Sequence, residues 1–222
     1  MAWSCSLKSF LTVFVFTIFA VGSVESYQCT SSSCTSESCP STTDVCTATK
    51  GCFNQMQKFD TPSTATDQVL KQKGCFTDTC SDLTFSATLG DKRRFSYENK
   101  CCTTEKCNQE DITPSSSSEP NGVECTACYS EKEKSCSSVT TLKCTGNEKK
   151  CIEVTGMDLK SSNLRLYGKG CATENTCNLK MDVLSGVQIQ ASCISAVSNN
   201  GNRALKSISS APIILLLLKV LL

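Results

Sequence analysis

The chain contains no histidine among its 222 residues. Histidine is the usual general base near neutral pH, so neither a Ser-His-Asp nor a Cys-His catalytic arrangement can be built. The same absence excludes a mixed Cys/His zinc site, although an all-cysteine site stays formally possible. Carboxylate or lysine chemistry is not excluded, but no spacing of the acidic residues suggests it. We therefore expect a protein that is not an enzyme and that binds no metal and no cofactor.

Large apolar residues are also scarce, and neither positive nor negative charge is in large excess. Only twelve Val, Ile, Leu, Met or Phe residues lie between residues 27 and 112, too few for a core that is stable without cross-links. Residues 27–200 include 18 basic and 20 acidic residues, a net charge of minus two, and neither half is polarised. A nucleic-acid-binding protein normally carries a basic face, so we expect no nucleic-acid partner.

The start of the chain has the pattern of a secretory signal peptide. Lys8 precedes a twelve-residue apolar run at 10–21, and the small residues Val24 and Ser26 stand before the expected cleavage site. The alternative is a membrane anchor, for which the run is short. We expect residues 1–26 to be removed on secretion.

The end of the chain has the pattern of a lipid-attachment signal. Residues 211–222 are apolar except for Lys219, and they follow a polar stretch at 202–210 and a group of small residues. Twelve residues cannot span a bilayer, whereas this order is typical of a glycosylphosphatidylinositol anchor signal. We expect the lipid at or near Asn199 and removal of most of 199–222. The alternative is an apolar tail on a secreted protein.

Cysteine is the residue that the chain has in abundance. There are nineteen, and removal of the signal peptide takes Cys5 with it, leaving eighteen. An even number in a secreted chain indicates disulfides. They fall into a set of ten and a set of eight: Cys29, Cys34, Cys39, Cys46, Cys52, Cys75, Cys80, Cys101, Cys102 and Cys107, then Cys125, Cys128, Cys136, Cys144, Cys151, Cys171, Cys177 and Cys193.

The two sets belong to two copies of one fold. Residues 111–122, with two prolines and a run of serines, are typical of a linker between a first domain at 27–110 and a second at 123–198. Lys73-Gly74-Cys75 and Lys169-Gly170-Cys171 occupy the same place in the two copies, which indicates duplication. Apolar residues alternate with polar ones between turns in both copies, which predicts strands and no helix.

The first set ends in an unusual group, Cys101-Cys102-Thr103-Thr104-Glu105-Lys106-Cys107-Asn108. Adjacent cysteines cannot easily bond each other, so each reaches a different partner. Cys102 can close a tight loop on Cys107, while Cys101 reaches back to a distant strand. Spacing alone does not decide the remaining pairs.

With this ending and its ten-cysteine order, the first copy resembles a domain of the lymphocyte-antigen/urokinase-receptor superfamily, which shares the three-finger fold of snake toxins. The resemblance implies an all-β protein with two tandem disulfide-rich three-finger domains. It implies that Asn108 ties down the base of the fingers, the palm, by hydrogen bonds to the backbone. It also implies five pairs in the first domain: Cys29–Cys52, Cys34–Cys39, Cys46–Cys75, Cys80–Cys101 and Cys102–Cys107.

The second copy departs from this pattern. It lacks the terminal cysteine pair and the asparagine, which leaves open how its palm closes. A clipped second domain of this kind resembles a subgroup that includes the gamma-class phospholipase A inhibitors of snake plasma and a rodent bone-associated relative; Pro120-Asn121-Gly122 is part of that likeness. The resemblance implies four pairs here: Cys125–Cys151, Cys128–Cys136, Cys144–Cys171 and Cys177–Cys193.

The resemblance implies a non-enzymatic binding protein on the outer face of the plasma membrane, acting as a receptor, adhesion protein or modulator for a protein ligand. The alternative is a secreted inhibitor of phospholipase A. The expected ligand contact is the tip of the third finger of the first domain, Lys92, Arg93, Arg94 and Phe95. The second finger around Phe59-Asp60-Thr61-Pro62 is the next choice. A charged hairpin tip that is merely solvated is the plain alternative.

Overall fold

A computed structural model describes residues 26–36, 39, 44–61, 68–113, 117–184 and 186–197. The predicted signal peptide, apart from Ser26, and the predicted lipid site at Asn199 with its anchor signal lie outside these residues. Within them, no helix has the length and apolar character that crossing a bilayer requires.

The described residues form strands and two single-turn 3₁₀ helices, as the alternating sequence pattern predicts. The all-β class is therefore confirmed. The strands are β1 Tyr27–Cys34, β2 Asp44–Ala48, β3 Gly51–Asp60, β4 Gln68–Phe76, β5 Leu83–Leu89, β6 Arg94–Cys102, β7 Pro120–Ser130, β8 Thr140–Thr145, β9 Lys150–Asp158, β10 Leu164–Ala172, β11 Lys180–Val183 and β12 Val187–Ile194. The 3₁₀ turns are Gly90–Lys92 and Glu174–Thr176.

The chain forms two compact units, each of which contains one of the two sets of cysteines, but the bounds of the units differ from those of the two predicted domains. The first unit comprises Met1–Lys58, Gln68–Thr84 and Ser96–Pro114. The second comprises Phe59–Asp67, Phe85–Phe95 and Ser115–Leu222. The tip of the β5–β6 hairpin therefore belongs to the second unit, although Cys80 and Cys101 at the base of this hairpin belong to the first set. The linker at residues 111–122 predicts that this whole hairpin belongs to the first domain, and the domain boundary stays a prediction.

In the first unit, sulfur takes the place of a large aliphatic core. β3 lies between β6 and β4, and the far end of β1 pairs with the other edge of β4. Cys29, Ala48 and Cys52 are buried together, and further cysteines pack around them. A smaller cluster joins Met56, Val69 and Ile112. This is the arrangement expected for a module with so few apolar residues.

The second unit repeats this strand order. β9 lies between β12 and β10, and β7 pairs with both β8 and residues 167–169 on the other edge of β10. The buried face of β9 and β12 carries Ile152, Val154, Ile189 and Ala191. The duplicated topology agrees with the duplication that the sequence indicates.

The C-terminal end of the same β10 edge is occupied by the tip of β5. Ala87, Thr88 and Leu89 pair antiparallel with Ala172, Cys171 and Gly170. The approach is close enough to require glycine, because a Cβ at Gly170 would overlap the Thr88 carbonyl oxygen. An edge strand of unpaired amides readily accepts a further strand, and here a hairpin of the same chain supplies it.

Candidate functional site

Nine disulfides join the eighteen cysteines from Cys29 to Cys193. Each links residues of one cysteine set, and all nine are the pairs that the resemblance implied: Cys29–Cys52, Cys34–Cys39, Cys46–Cys75, Cys80–Cys101, Cys102–Cys107, Cys125–Cys151, Cys128–Cys136, Cys144–Cys171 and Cys177–Cys193. They fasten the strands at their bases and leave the hairpin tips free to differ.

Three groups of cysteine sulfur atoms lie close enough together to resemble metal sites. In each group three sulfur atoms are within 4.8 Å of one another, as at Cys125, Cys144 and Cys171. Metal ligation requires a thiolate, and every sulfur atom in these groups is bonded in a disulfide. These groups therefore contribute to the palm and offer no metal ligand.

Asn108 occupies the centre of the first palm. Its side-chain amide donates to the carbonyl oxygens of Thr30 at 2.8 Å and Phe53 at 2.9 Å, and its Oδ1 accepts from the amide of Thr30 at 2.9 Å. The residue is only 2% exposed. One side chain thus satisfies three buried backbone groups on two strands, which is the role that the resemblance implied.

The second palm closes without a cysteine pair or an asparagine. The amide of Val197 donates to the carbonyl oxygen of Glu124 at 3.0 Å. In the first palm, the Lys106 amide makes the matching bond to Gln28 at 2.6 Å. Ile194 packs against the buried cysteines of the second unit. A backbone bond and an aliphatic side chain therefore replace the missing cross-link.

The four residues predicted to contact a ligand do not form one exposed surface. Lys92 is exposed, whereas the side chains of Arg93, Arg94 and Phe95 are half-buried. The Arg93 guanidinium lies 4.3 Å from the ring centre of Tyr129, and the Phe95 ring is 5.8 Å from that of Phe85. No pattern in the sequence indicates that this tip pairs with β10. A ligand contact at Lys92 stays a prediction.

Arg94 faces a buried carboxylate. Its Nη2 lies 3.6 Å from Oε1 of Glu148, whose side chain is 2% exposed. The same oxygen accepts a hydrogen bond from the Ser86 hydroxyl at 2.7 Å. Ser86 is in turn tied to the end of β10, because its carbonyl accepts from the amide of Thr173 at 3.0 Å. The β5 tip is therefore held by backbone pairing with β10, by the hydrogen bond from the Ser86 hydroxyl to Glu148 and by the ion pair between Arg94 and Glu148.

The alternative contact at the second finger also begins in a packed environment. The Phe59 ring lies 6.4 Å from that of Tyr129, and Phe59 is half-buried. Burial raises the pKa of Tyr129 to about 12, and the neighbouring Glu131 adds to this rise in pKa while Arg93 opposes it. Pro62 lies outside the described residues. Phe59 thus contributes to packing around Tyr129, and a ligand contact there stays a prediction.

The turn at residues 158–163, which we call the Leu159 tip, is fixed in one conformation. Oδ1 of Asp158 accepts from the amides of Lys160 at 2.9 Å and Ser161 at 2.8 Å. Its Oδ2 accepts from Arg165 Nε at 2.9 Å and Nη2 at 2.6 Å. The Ser161 amide, and then Arg165, hold the pKa of Asp158 well below its usual range. The turn is therefore organised before any ligand arrives.

Leu159 projects from this turn and was missed by sequence reasoning. Its amide donates to the carbonyl of Gly186 at 2.9 Å, which joins the β9–β10 turn to the β11–β12 turn. The residue is 47% exposed. Val45 and Val139, two of the other exposed large apolar residues in the described part of the chain, also lie beside hairpin turns. The available signal was an apolar residue inside the otherwise polar turn Asp158–Asn163.

No protein-family model matches the chain. Protein RoBo-1 of Rattus norvegicus is 41% identical over 198 residues, which are 88% of this chain and 82% of RoBo-1. Ly6/PLAUR domain-containing protein 8 of Bos taurus is 30% identical over 174 residues, 75% of this chain and 73% of that protein. Phospholipase A2 inhibitor NAI of Notechis ater is 28% identical over 135 residues, 58% of this chain and 67% of the inhibitor.

Proposed function

Because this chain belongs to the lymphocyte-antigen/urokinase-receptor (Ly6/PLAUR) family, we propose that it is an extracellular binding protein without catalytic activity. It presents the Leu159 tip of its second unit to a protein ligand. The similar Notechis protein is named as an inhibitor of phospholipase A2, so a protein of this kind acts on another protein. The missing histidine agrees with a role that needs no general base.

The observation that carries this proposal is that the Leu159 tip presents an exposed apolar side chain on a hydrogen-bonded turn. A half-exposed apolar side chain is a normal surface feature on its own. Here the turn that carries it is held by five hydrogen bonds to the Asp158 carboxylate and is tied to the β11–β12 turn through Gly186. A rigid turn with an apolar anchor loses little entropy on binding, which favours affinity.

We further propose a lipid anchor close to the second palm. The last described residue, Val197, is bonded to Glu124 at that palm. Asn199, the proposed attachment site, is two residues further along, and two residues span at most roughly 7 Å. The palm of the second unit is then the part of that unit nearest along the chain to the anchor. The Leu159 tip is at the opposite end of β9 from the palm cysteine Cys151, which leaves it accessible to a ligand.

The contact is tested with a fluorescent multimer of the mature chain, residues 27–197, on cells of different tissues. Burying a leucine side chain contributes about 1.5–3 kcal/mol, so Leu159→Ser should weaken saturable binding about tenfold or more. Val45→Ser is the matched control, since Val45 is 58% exposed beside a turn of the first unit. Equal binding by Leu159→Ser and the unchanged protein would exclude this surface.

The anchor is tested separately on cells that express the full chain. A phosphatidylinositol-specific phospholipase should release the protein into the medium. Replacing Asn199, Asn200 and Gly201 together by bulky residues should abolish surface display. Protein that stays on the cell after enzyme treatment would disprove the lipid anchor, and accumulation in the medium without treatment would indicate secretion.

A second candidate function is inhibition of secreted phospholipase A. It is favoured by three snake inhibitors of phospholipase A2 that are 28–30% identical to this chain over 56–58% of its length. Family likeness alone does not fix a ligand. Purified mature chain at stoichiometric concentration should then suppress hydrolysis by a secreted phospholipase A2, and unchanged hydrolysis would count against this role.

A further inference from the structure

A cleft of about 440 Å³ lies in the second unit, between the β5 tip and β8. Its lining includes Thr88, Lys92 and Arg94 from the tip region, and Lys143, Thr145 and Glu148 from β8 and the loop that follows it. A volume of this size accommodates a few side chains. The cleft is separate from the Leu159 tip, which contributes none of its lining.

The lining is positively charged. Lys92, Arg94 and Lys143 are cationic and Glu148 is the anion among the residues named above, a balance of plus two. Lys92 and Lys143 are exposed, so both ammonium groups are accessible to a ligand. Arg94 is oriented by its contact with Glu148. Two accessible cations beside one oriented cation favour an oxyanion.

The polar floor of the cleft is incompletely satisfied. Neither Nε of Arg94 nor Oε2 of Glu148 has a hydrogen-bond partner among the described residues, and both atoms are buried. The Glu148 side chain is only 2% exposed and lines the cleft. Buried polar atoms are almost always paired, so an unpaired donor and an unpaired acceptor on two side chains that line one cleft favour a polar ligand group there. The threonine hydroxyls add further donors.

We propose that this cleft binds a carboxylate side chain carried by the protein ligand. Lys92 and Lys143 contact the carboxylate, and the floor at Arg94 and Glu148 receives a neighbouring hydroxyl or amide. The proposal rests on the proposed function, of which it specifies a second contact. A sulfated polysaccharide fits less well, because a polyanion needs an extended row of cations. These three cations are confined to one cleft, and the mature chain as a whole has a slight excess of acidic residues.

The test uses the mature chain and an N-acetylated Asp-Ser-Glu tripeptide amide, followed by backbone amide NMR. Resonances of Thr88, Lys143 and Thr145 should shift saturably. A variant with Lys92→Gln and Lys143→Gln should bind the peptide about tenfold or more weakly, and added salt should weaken binding to the unchanged protein. The matched control carries Lys132→Gln and Lys134→Gln, which remove two exposed lysines elsewhere in the same unit.

Three outcomes would overturn the proposal: absence of saturable shifts, equal peptide affinity in the double variant, or preference for a sulfated disaccharide probe over the peptide. The Leu159→Ser variant separates this proposal from the proposed function. It should leave the peptide titration unchanged while cell binding falls. If the peptide does not bind at the cleft while cell binding still depends on Leu159, the cleft proposal fails and the proposed function stands.

Discussion

At the scale of single residues, charged and amide side chains supply contacts that the small core cannot. Asn108 serves three backbone groups in the first palm, and Asp158 serves the turn in the second unit. The two differ in setting. Asn108 is buried, so its bonds stabilise the fold, whereas Asp158 organises a turn in contact with solvent.

Asp158 gives the Leu159 tip a predictable pH dependence. Its folded-state pKa is depressed by the Ser161 amide and Arg165, so its contribution to stability is full above its unfolded pKa of about 4. That contribution is lost as the pH falls from there through the folded-state pKa. Asp158→Asn should therefore lower the free energy of unfolding at pH 7, and the difference from the unchanged protein should shrink below about pH 4.

Denaturant unfolding with the disulfides intact, repeated from neutral to strongly acidic pH, measures this difference. Asp182→Asn is the control, since Asp182 is exposed on the neighbouring β11. A difference between the Asp158 variant and the unchanged protein that stays constant over the whole range would contradict the assigned cause.

At the scale of elements, one hairpin decides how the second unit is completed. On one edge of β10, β7 pairs with residues 167–169 and the β5 tip pairs with residues 170–172. This hairpin end brings Ser86, Arg93 and Arg94 to partners that lie far away along the chain. A tip that would be a free fingertip in an isolated domain has become part of a sheet.

Gly170→Ala tests this pairing with a single methyl group. The added Cβ would overlap the Thr88 carbonyl oxygen, which is backbone and cannot move aside cheaply. We expect the β5 tip to separate from β10, so that the Thr173 amide, bonded to Ser86, exchanges its hydrogen about tenfold faster or more. Ser192→Ala on the exposed side of β12 is the control. Unchanged protection of Thr173 would show that the edge tolerates a side chain.

At the scale of the whole molecule, cross-links replace most of the hydrophobic core. The first palm uses Cys102–Cys107 and Asn108, whereas the second uses Ile194 and the bond from Val197. Two copies of one fold have therefore reached closure by different means. The first copy depends more strongly on its last disulfide.

In a chain that ends at Val197 and so lacks the proposed anchor signal, replacing Cys102 and Cys107 together by serine should reduce secretion. Loss of one disulfide costs about 2–4 kcal/mol, and the double change leaves no free thiol. Quantification of secreted and retained protein measures the effect. Thr104→Ser is the control, because it changes the same loop and leaves the disulfide in place. Normal secretion of the double variant would contradict the assigned role of this bond.

Local pattern in the sequence determined the strands and the duplication, whereas the three-finger fold and the cysteine partners were implied by the resemblance, because few folds share this order of cysteines. The nine disulfides and the contacts of Asn108 agree with what the resemblance implied. Only the tertiary structure decided that Arg93 and Arg94 contact Tyr129 and Glu148, and that Leu159 projects from a bonded turn. The physical reason is that the exposure of a side chain at a hairpin tip depends on which distant sheet edge pairs with that hairpin. No local sequence pattern identifies that edge.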